Sequence, residues 1–442
     1  MKYAMTMMIV AGMILGCGGG KKPVTPTTEG PNTEGDIQTP VKTVKAPTKA
    51  VVKLTPPPAT LDLAAVSPGN TAISPEAAIE ASKLVNGGVQ YLASKVNANG
   101  GWDIQGRFEP AITALVLKCL IQHPSITMET PMVKRGYARL LTFQQDDGAI
   151  YDPKQGRDNY CTAIAVCALA ASKDPALKVN MDKAVAHLRT LQILPGTVSR
   201  DKEVEGQKIT KGHPFEGGVS YGKHGRPDLN NLGWWMQAMK DAGIPADDPA
   251  MQSALSFVLR NQDRKESNSM AWAEDGENSG GFIYAPAGRD ITKAESKANT
   301  QAKTYLAESG LAPYGSMTYV GLKSMLYAGL TKNDPRVKAA YLWLRKNYTL
   351  EKNPNMATNR PEQGRYFYYN VFAKGLRAFG KDEITDVDDP TVKHNWRNDL
   401  VAQLAKLVRG DGSWMNPADR WEEGSPVLVT AYEVLGLQEA LK

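Results

Sequence analysis

The chain contains few of the residues that bind metals or form disulfide frameworks. Its 442 residues include 4 cysteines and 5 histidines, and neither a CxxC nor an HExxH segment occurs. The histidines show no metal-ligand spacing among themselves. Besides Cys17 an odd number of cysteines remains, and Cys119, Cys161 and Cys167 lie among Ala, Val and Leu. We therefore expect packed thiols rather than disulfides, and we predict neither a metal site nor a cofactor.

The chain also lacks a strong charge of either sign. Lys and Arg number 52 and Asp and Glu number 46, which gives a net charge of +6, and both kinds are spread along the chain. No basic tract of the kind that follows a phosphate backbone occurs. Nucleic acid is therefore not an expected partner.

The apolar run near the start of the chain is too short for a stable membrane-spanning anchor. Lys2 gives a short positive region, and residues 5–15 form an apolar stretch of signal-peptide length. The stretch ends in the letters ILGC, which resemble the lipobox of bacterial lipoproteins. The resemblance implies a signal peptide over 1–16, lipidation of Cys17 and a place in the bacterial cell envelope, with the outer membrane or the periplasmic face favoured because Gly18 follows the cysteine. An ordinary secretory signal is the alternative.

Residues 17–62 differ sharply in composition from the rest. Eight of the chain's 28 prolines lie between Lys21 and Pro58, among Thr, Lys, Gly and Glu. Such a stretch buries too little apolar surface to offset the entropy lost on ordering. We predict a disordered linker that connects a membrane, bound through the lipid at Cys17, to a folded domain over 70–442.

A short loop recurs between apolar helical segments, and it consists of a glycine, often a pair, followed by an aromatic or apolar residue. The six copies are Gly100-Gly101-Trp102, Asp147-Gly148-Ala149-Ile150, Gly217-Gly218-Val219, Gly280-Gly281-Phe282, Gly364-Arg365-Tyr366 and Asp411-Gly412-Ser413-Trp414. Each helix pair leaves an apolar face that only a neighbouring pair covers. Six pairs predict one all-α domain, an (α/α)6 toroid of six helical hairpins. A linear helical solenoid with capped ends is the alternative.

The helices differ in amphipathicity, which separates an inner from an outer set. Segments 109–122 and 159–172 are apolar on nearly all sides, as is typical of buried helices. The segment 135–140 keeps a polar face, as expected of an outer helix. The sequence therefore predicts an inner ring of helices surrounded by an outer one.

Two segments resemble the Gln-Trp motif of squalene cyclases, terpenoid cyclases and protein prenyltransferase β-subunits. They are residues 143–148, which read FQQDDG, and residues 408–414, which read VRGDGSW. The likeness covers nearly everything from Ser74 to Lys442. It implies a toroid whose inner-helix N-termini open onto a central cavity and, for an enzyme, a terpene cyclase or mutase (isomerase) reaction.

Residues Asp386 to Asp389 match the first four letters of the acid motif of bacterial squalene cyclases. Pro390 stands where that motif has Thr, and no inner helix follows. We therefore interpret the segment as a solvated acidic turn at the end of the ring opposite the cavity mouth.

Asp158 is the best single candidate for a catalytic acid. In the oxidosqualene-type variant of the motif the acid directly precedes Cys-Thr-Ala, whereas here Asp158 lies two residues further from Cys161. On a helix that displacement rotates a side chain by about 200°. The alternative for Asp158 is a helix N-cap.

Aromatic residues concentrate near the predicted starts of the inner helices. The candidate ligand-binding residues are Tyr160, Trp234, Trp235, Tyr319, Tyr366, Tyr368 and Tyr369. Such rings stabilise carbocations through their faces, and they also suit an apolar or carbohydrate ligand. Core packing is the alternative. Insertions at 193–216 and 263–315 are expected on the same face of the ring.

Three classes of function remain. The first is an envelope lipoprotein that binds a ligand or partner at its central cavity without standard cyclase chemistry. The second is a squalene-type terpenoid cyclase that uses a displaced acid such as Asp158. The third is a glycan-processing enzyme, which needs two facing carboxylates, and Glu109, Asp158 and Asp228 are the candidates.

Overall fold

The computed structural model describes residues 60–292, 294–295, 311–356 and 360–442. The predicted signal peptide, Cys17 and nearly all of the predicted linker lie outside these residues. The helices are α1 (Pro75–Ser94), α2 (Glu109–Ile121), α3 (Pro131–Leu141), α4 (Asp158–Ser172), α5 (Lys178–Thr190), α6 (Leu229–Asp241), α7 (Pro249–Arg260), α8 (Ala271–Glu274), α9 (Gly315–Tyr327), α10 (Pro335–Lys346), α11 (Arg365–Phe379), α12 (Trp396–Leu407) and α13 (Pro426–Leu441). Within the described part, no helix is both long and apolar enough to cross a membrane.

Six helices form a closed inner ring. In ring order they are α2, α4, α6, α9, α11 and α13, and α13 contacts α2 again. The outer helices pack behind them, with α3 on α2, α5 on α4 and α10 on α9, while α1 lies against α13 and α12. The backbone N–H of Gly69 donates to the Leu441 carbonyl oxygen at 2.6 Å, so the two ends of the domain meet. The prediction of an all-α (α/α)6 toroid is confirmed, and the linear solenoid is wrong.

The amphipathic contrast predicted from the sequence is present in the packing. Helix α2 buries ten of its 13 residues, because neighbouring helices surround it. Outer helix α3 buries one stripe, formed by Met132, Val133, Gly136, Tyr137 and Leu140. Several outer helices begin at an Asp-Pro pair, where the aspartate accepts a backbone N–H, as Asp248 does from Ala250 at 2.9 Å.

Four of the recurring loops connect to the inner helix in the same way. The backbone N–H of the apolar loop residue donates to a threonine hydroxyl in the first turns of the inner helix. The pairs are Trp102 with Thr113 at 2.8 Å, Ile150 with Thr162 at 2.9 Å, Phe282 with Thr318 at 3.1 Å and Trp414 with Thr430 at 3.1 Å. Each loop is thereby fixed to its own inner helix.

The loop glycines contact the next outer helix of the ring. Five of them have a left-handed backbone, and a Cβ there would meet backbone atoms of the neighbouring helix. The pairs are Gly100 with Arg135, Gly148 with Lys183, Gly217 with Ser253, Gly280 with Ala339 and Gly412 with Gly87. The last pair joins the sixth hairpin to the first, so the same glycine contact that links successive hairpins also closes the ring.

The glutamine that precedes three of these loops ties them to the following outer helix. Its side-chain amide donates to the loop glycine carbonyl and to a carbonyl at the start of the next outer helix. Gln192, for example, donates to Gly217 at 3.1 Å and to Ala250 at 2.9 Å. Gln144 and Gln262 make the equivalent pairs of hydrogen bonds. Val408 stands at this point in the sixth hairpin, and the N–H of the next residue, Arg409, donates to the Ser413 carbonyl as that of Gln145 donates to the Ala149 carbonyl.

The prediction of a fifth copy of the loop, at Gly364, is wrong. Gly364 does not lie in a loop of this kind, because it is the left-handed N-cap of α11, with φ of 68°. The described residues 347–356 lie where the short loop was predicted in this hairpin, and the hydroxyls of Tyr368 and Tyr369 donate to the carbonyls of Thr349 and Leu350.

The two insertions form small apolar clusters of their own. Residues 193–216 enclose Ile193, Val204, Ile209 and Phe215, and residues 263–315 enclose a second set around Trp272. They meet where the Gly288 N–H donates to the Glu203 carboxylate at 2.6 Å. Residues 296–310 of the second insertion lie outside the described residues.

The Asp386–Asp389 segment forms the turn between β1 (Glu383–Thr385) and β2 (Lys393–Asn395), which pair antiparallel between α11 and α12. Asp386 accepts the N–H groups of Asp388 and Asp389 at 2.7 and 2.9 Å, and these residues are half-buried or exposed. The segment follows the C-terminus of α11, so it lies at the end of the ring opposite the inner-helix N-termini.

Candidate functional site

A cavity of about 490 Å³ lies where the six inner helices begin, and we name it the N-terminal cavity. Each inner helix contributes at least one residue to the wall, from the N-cap or the first two turns. The aromatic lining residues are Phe108, Tyr160, Tyr221, Tyr284, Tyr314, Phe367, Trp421 and Tyr432. A concave, mainly apolar pocket of this volume suits a small organic ligand.

Tyrosine hydroxyls provide much of the polarity of the wall. The hydroxyl of Tyr432 lies close enough to that of Tyr160 to influence its pKa, and the ring of Tyr160 lies 5.7 Å from that of Tyr221. Burial raises the pKa of Tyr160 to about 12, so this group remains a neutral hydroxyl over the physiological range. The wall therefore offers aromatic faces together with neutral donors and acceptors.

Two inner helices begin at strained residues on the cavity wall. Phe108 precedes α2 with φ of 59°, and Arg157 precedes α4 with φ of 65°, both in the left-handed region. The guanidinium of Arg157 lies 4.3 Å from the centre of the Phe108 ring. Gln155 accepts the Phe108 N–H at 2.9 Å, which helps to hold this backbone. Non-glycine residues in this conformation concentrate at functional sites.

Glu423 is the acid built into the cavity wall. Its side chain is buried, and it accepts the Phe367 N–H at 2.8 Å and the Asn416 side-chain amide at 2.6 Å. Burial raises the pKa of Glu423 to about 7, although these hydrogen bonds and Arg365 favour the carboxylate. Glu423 is therefore protonated in a large fraction of molecules at neutral pH.

Glu433 lies behind the wall on α13, where the charge of Glu423 acts on it. It is fully buried, and neither carboxyl oxygen has a hydrogen-bond partner among the described residues. Burial raises the pKa of Glu433 well above its usual range, with the charge of Glu423 as a second cause. A buried carboxyl without partners is stable only in its neutral form.

Asp228 is the N-cap of α6 and lies just behind the wall. It accepts the Asn231 N–H at 2.8 Å and the Asn231 amide at 2.7 Å. Burial raises the pKa of Asp228 to about 6, while Asn231 and the Tyr284 hydroxyl stabilise the carboxylate. Tyr284 itself lines the cavity, so Asp228 reaches the ligand space through that hydroxyl.

Asp158 and Glu109 both face away from the N-terminal cavity. Asp158 accepts the N–H of Asn159 at 3.0 Å, and its other oxygen lies 3.7 Å from Nε2 of His187 on outer helix α5. Glu109 forms two hydrogen bonds with Arg139 of α3, at 2.6 and 2.8 Å. The structure brings neither acid to the cavity and does not bring Glu109, Asp158 and Asp228 together as facing carboxylates.

Of the seven predicted aromatic residues, Tyr160 lies on the cavity wall and the other six pack elsewhere. Trp235 is fully buried and donates to the Leu188 carbonyl of outer helix α5 at 2.9 Å. Trp234 lies under the ammonium group of Lys374, 4.6 Å from it. Tyr319, Tyr366, Tyr368 and Tyr369 contact one another and Phe372 in the packing between α9 and α11.

Sequence reasoning missed Glu423 and most of the aromatic wall. Tyr221, Tyr284 and Tyr314 come from connections between helices, whose path depends on the two insertions. Glu423 lies just before the Ser425-Pro426 start of α13, and that position before an inner helix was the available signal.

Among the described residues, no group of three or more His, Cys, Asp and Glu side chains is placed to hold a metal ion. Cys119, Cys161 and Cys167 are buried free thiols.

The sequence matches no protein-family model and no curated protein. Solved structures share the helical arrangement at low identity. The type II terpene cyclase MstE from Scytonema is 14% identical with a TM-score of 0.46, and the match covers 82% of this chain and 98% of that one. A possible member of the GH105 family from Salmonella enterica is 13% identical with a TM-score of 0.47, covering 85% and 96%. An α-amylase from Clostridium perfringens is 11% identical with a TM-score of 0.46, covering 81% and 97%. These similarities are too distant to indicate a function.

Proposed function

We propose that this protein is an envelope-anchored lipoprotein whose toroid binds a mainly apolar ligand with a hydroxyl or carboxyl end group in the N-terminal cavity. The observation that carries the proposal is the cavity itself, with about 490 Å³ of space and eight aromatic side chains in its wall. Aromatic rings bury a large apolar area, and their hydroxyls and the carboxyl of Glu423 are the polar groups that orient a ligand end.

Farnesol is a suitable probe for an apolar ligand, and cellobiose is the matched probe for a carbohydrate ligand. We expect farnesol to bind the purified protein in a calorimetric titration with a negative heat-capacity change, because apolar surface leaves water. Met317→Trp places a larger side chain in the cavity wall and should weaken farnesol binding at least tenfold. The control is Val179→Trp on the exposed face of α5, which should bind as the parent protein does.

Farnesol binding that survives Met317→Trp would place the ligand outside this cavity and overturn the proposal. Binding of cellobiose but not farnesol would overturn the apolar part of it. Mass spectrometry of organic extracts from the purified protein would identify a ligand retained from the cell, and Met317→Trp should lack it.

A terpene cyclase activity is the second candidate, and the buried acid Glu423 favours it. A protonated carboxyl in an aromatic chamber donates its proton to an alkene carbon, and the other alkene carbon becomes a cation that nearby rings stabilise. Attack by a second alkene closes a ring, and loss of a proton to the Glu423 carboxylate restores the acid. The net reaction is an isomerisation.

Incubation with squalene or geranylgeraniol, followed by gas chromatography and mass spectrometry, tests this candidate. A cyclised product that disappears in Glu423→Gln and persists in Asp158→Asn would support it and would displace the binding role. A product lost in Asp158→Asn alone would instead support the acid proposed from the sequence.

Membrane anchoring through Cys17 has its own test. Palmitate labelling of the expressed protein should be lost in Cys17→Ser, and the protein should leave the membrane fraction. Labelling that persists in this variant would remove the anchor from the proposal without affecting the ligand site.

A further inference from the structure

A second cavity, of about 760 Å³, lies where the same six helices end, and we name it the C-terminal cavity. Every inner helix contributes to it from its last turns. Its wall carries six cationic side chains and two carboxylates. The cations are Lys118, Lys173, Lys240, Lys374, Arg377 and Lys442, and the carboxylates are Asp241 and Glu439. The wall therefore carries four more cationic side chains than carboxylates.

Both carboxylates are already paired. Asp241 accepts the Lys118 ammonium at 2.7 Å and the Gln237 amide at 2.7 Å. Glu439 accepts the Lys442 ammonium at 2.7 Å. Burial opposes both charges of the Lys118–Asp241 pair, yet the pairing raises the pKa of Lys118 and lowers that of Asp241. Each acid therefore already has a lysine partner, although the charges of both also favour the protonated form of Lys374.

Four of the wall cations form no ion pair among the described residues, and Lys374 is the buried one of these four. Its side chain is 7% exposed and lines the cavity, and its ammonium group has no hydrogen-bond partner among the described residues. Its ammonium group lies over the ring of Trp234, 4.6 Å from the ring centre. A buried ammonium without a carboxylate costs free energy unless a ligand supplies the missing charge.

A second buried lysine increases the charge behind the wall. Lys323 is 4% exposed, and it donates to Gln237 at 3.2 Å rather than to a carboxylate. The titratable groups that act on Lys374 come from the other inner helices: Lys118 of α2, Cys167 of α4, Asp241 of α6, Lys323 of α9 and Glu439 of α13.

We propose that the C-terminal cavity is a binding site for a small phosphate-bearing anion, with Lys374 as its central cation and Lys118 and Arg377 beside it. A phosphate dianion offers several acceptor oxygens, which suits ammonium donors that converge from different helices. The rim residues Lys173, Lys240 and Lys442 are exposed, and they raise the local concentration of anions around the opening.

Binding should be linked to proton uptake. Burial, with the charge of Lys118 as a second cause, lowers the pKa of Lys374 to about 8, and burial together with Lys374 lowers that of Lys323 to about 7. An anion beside them favours the protonated forms. Phosphate should therefore bind with uptake of a proton by the protein at pH 8.5, where free phosphate is already the dianion. At pH 6 both amines already carry their protons and free phosphate is mainly the monoanion, so binding of the dianion should instead release a proton from the ligand.

Calorimetry of the purified protein with inorganic phosphate, in buffers of different ionisation enthalpy, measures affinity and proton uptake together. We expect saturable binding that Lys374→Met weakens at least tenfold, with the proton uptake at pH 8.5 reduced. Lys374→Met removes an unpaired buried charge, so it should fold at least as stably as the parent protein. The matched control is Lys83→Met on the outer surface of α1, which should leave both quantities unchanged.

A lipid headgroup is the other source of a phosphate group, and vesicles that contain phosphatidic acid test it. The hydrogen bond from Gly69 to Leu441 places the start of the domain at this end of the ring. Flotation with these vesicles but not with phosphatidylcholine vesicles, lost in Lys374→Met, would assign the phosphate to a lipid headgroup. The proposal is overturned if neither free phosphate nor these vesicles bind, or if Lys374→Met binds as the parent protein does.

Discussion

The N-terminal and C-terminal cavities are built from the two ends of the same six helices, and they differ in almost every chemical respect. The first has aromatic walls and buried acids, including Glu423. The second has a mainly cationic wall, with Lys374 unpaired inside it. Helix N-termini carry partial positive charge and C-termini partial negative charge, so Glu423 and the excess of lysines each lie at the end that favours their charged form. The ring determines which helix ends face each cavity, whereas loop and last-turn residues determine the chemistry of the cavity walls.

The difference between the two cavities depends on a closed ring, so the largest loss of stability should come from a substitution that opens it. Gly412 has φ of +81°, and a Cβ there would lie 2.7 Å from the Gly87 carbonyl oxygen of α1. Gly412→Ala should destabilise the domain by roughly 2–5 kcal/mol, because it adds a steric clash to a left-handed backbone. Urea unfolding measures the change.

The control for that substitution is Gly196→Ala. Gly196 has φ of +94° but open space around the added Cβ, so only the backbone cost of about 1–2 kcal/mol is expected. Equal losses in the two variants would mean that the glycine contact does not close the ring.

The C-terminal end should be sensitive to its buried ion pair. Lys118→Met leaves the buried Asp241 carboxylate without its partner, and the free energy of unfolding should fall by about 3 kcal/mol. Lys83→Met breaks the exposed pair with Glu80 and should cost less than about 1 kcal/mol. If both variants lose the same small amount in urea unfolding, the ion pair is not a structural element of this cavity.

The two ends should respond to pH with opposite signs. Glu423 titrates near 4.5 when unfolded and near 7 when folded, so the folded state holds the extra proton between these values. Its contribution to stability is fully present below pH 4.5 and is lost as pH rises through about 7. Relative to Glu423→Gln, the parent protein should lose on the order of 2 kcal/mol over this window.

Lys323 should make the free energy of unfolding change with pH in the opposite direction. It titrates near 10.5 when unfolded and near 7 when folded, so the unfolded state holds the extra proton in between. Relative to Lys323→Met, the parent protein should gain stability between pH 7 and 10.5, again on the order of 2 kcal/mol. Thermal unfolding across pH measures both slopes, and equal signs would contradict the assignment of these groups.

The smallest effect should come from the tyrosine pair in the N-terminal cavity. Tyr160→Phe removes a buried hydroxyl that interacts with Tyr432, which should cost about 1 kcal/mol. Tyr341→Phe on outer helix α10 is the control and should change the free energy of unfolding by less than about 0.5 kcal/mol. Phosphate binding at the other end should be unaffected by Tyr160→Phe, and a change there would show that the two cavities are coupled.

The ring was predictable because its determinants are local and repeat. Three positions recur at similar spacing: the glycine, the apolar residue after it and the following threonine. They recur because the same contacts form at successive junctions of the ring. The fifth copy was wrong because Gly364 shares the letters but serves as a helix N-cap. The sequence pattern alone does not distinguish a left-handed glycine in the recurring loop from a left-handed glycine at a helix N-cap.

The two cavities were less predictable, because their residues meet across many helices. The side chain of Asp158 is turned towards His187 on α5, and sequence reasoning expected a rotation of that kind without locating its partner. Glu423 and Lys374 each lie in segments whose local pattern is unremarkable. Their burial, and the absence of a counter-ion for Lys374 among the described residues, arise only from the assembled ring.

The hydrogen bond from Gly69 to Leu441 has a consequence for engineering the chain. Because the two ends of the domain touch, joining them with a short linker and cutting another connection should give a circular permutant of the same architecture. The connection between α3 and α4, around Lys154, is exposed and offers one such cut. In that permutant the first residue of the domain would lie on the aromatic side of the ring instead of the lysine side, while both cavities stay intact.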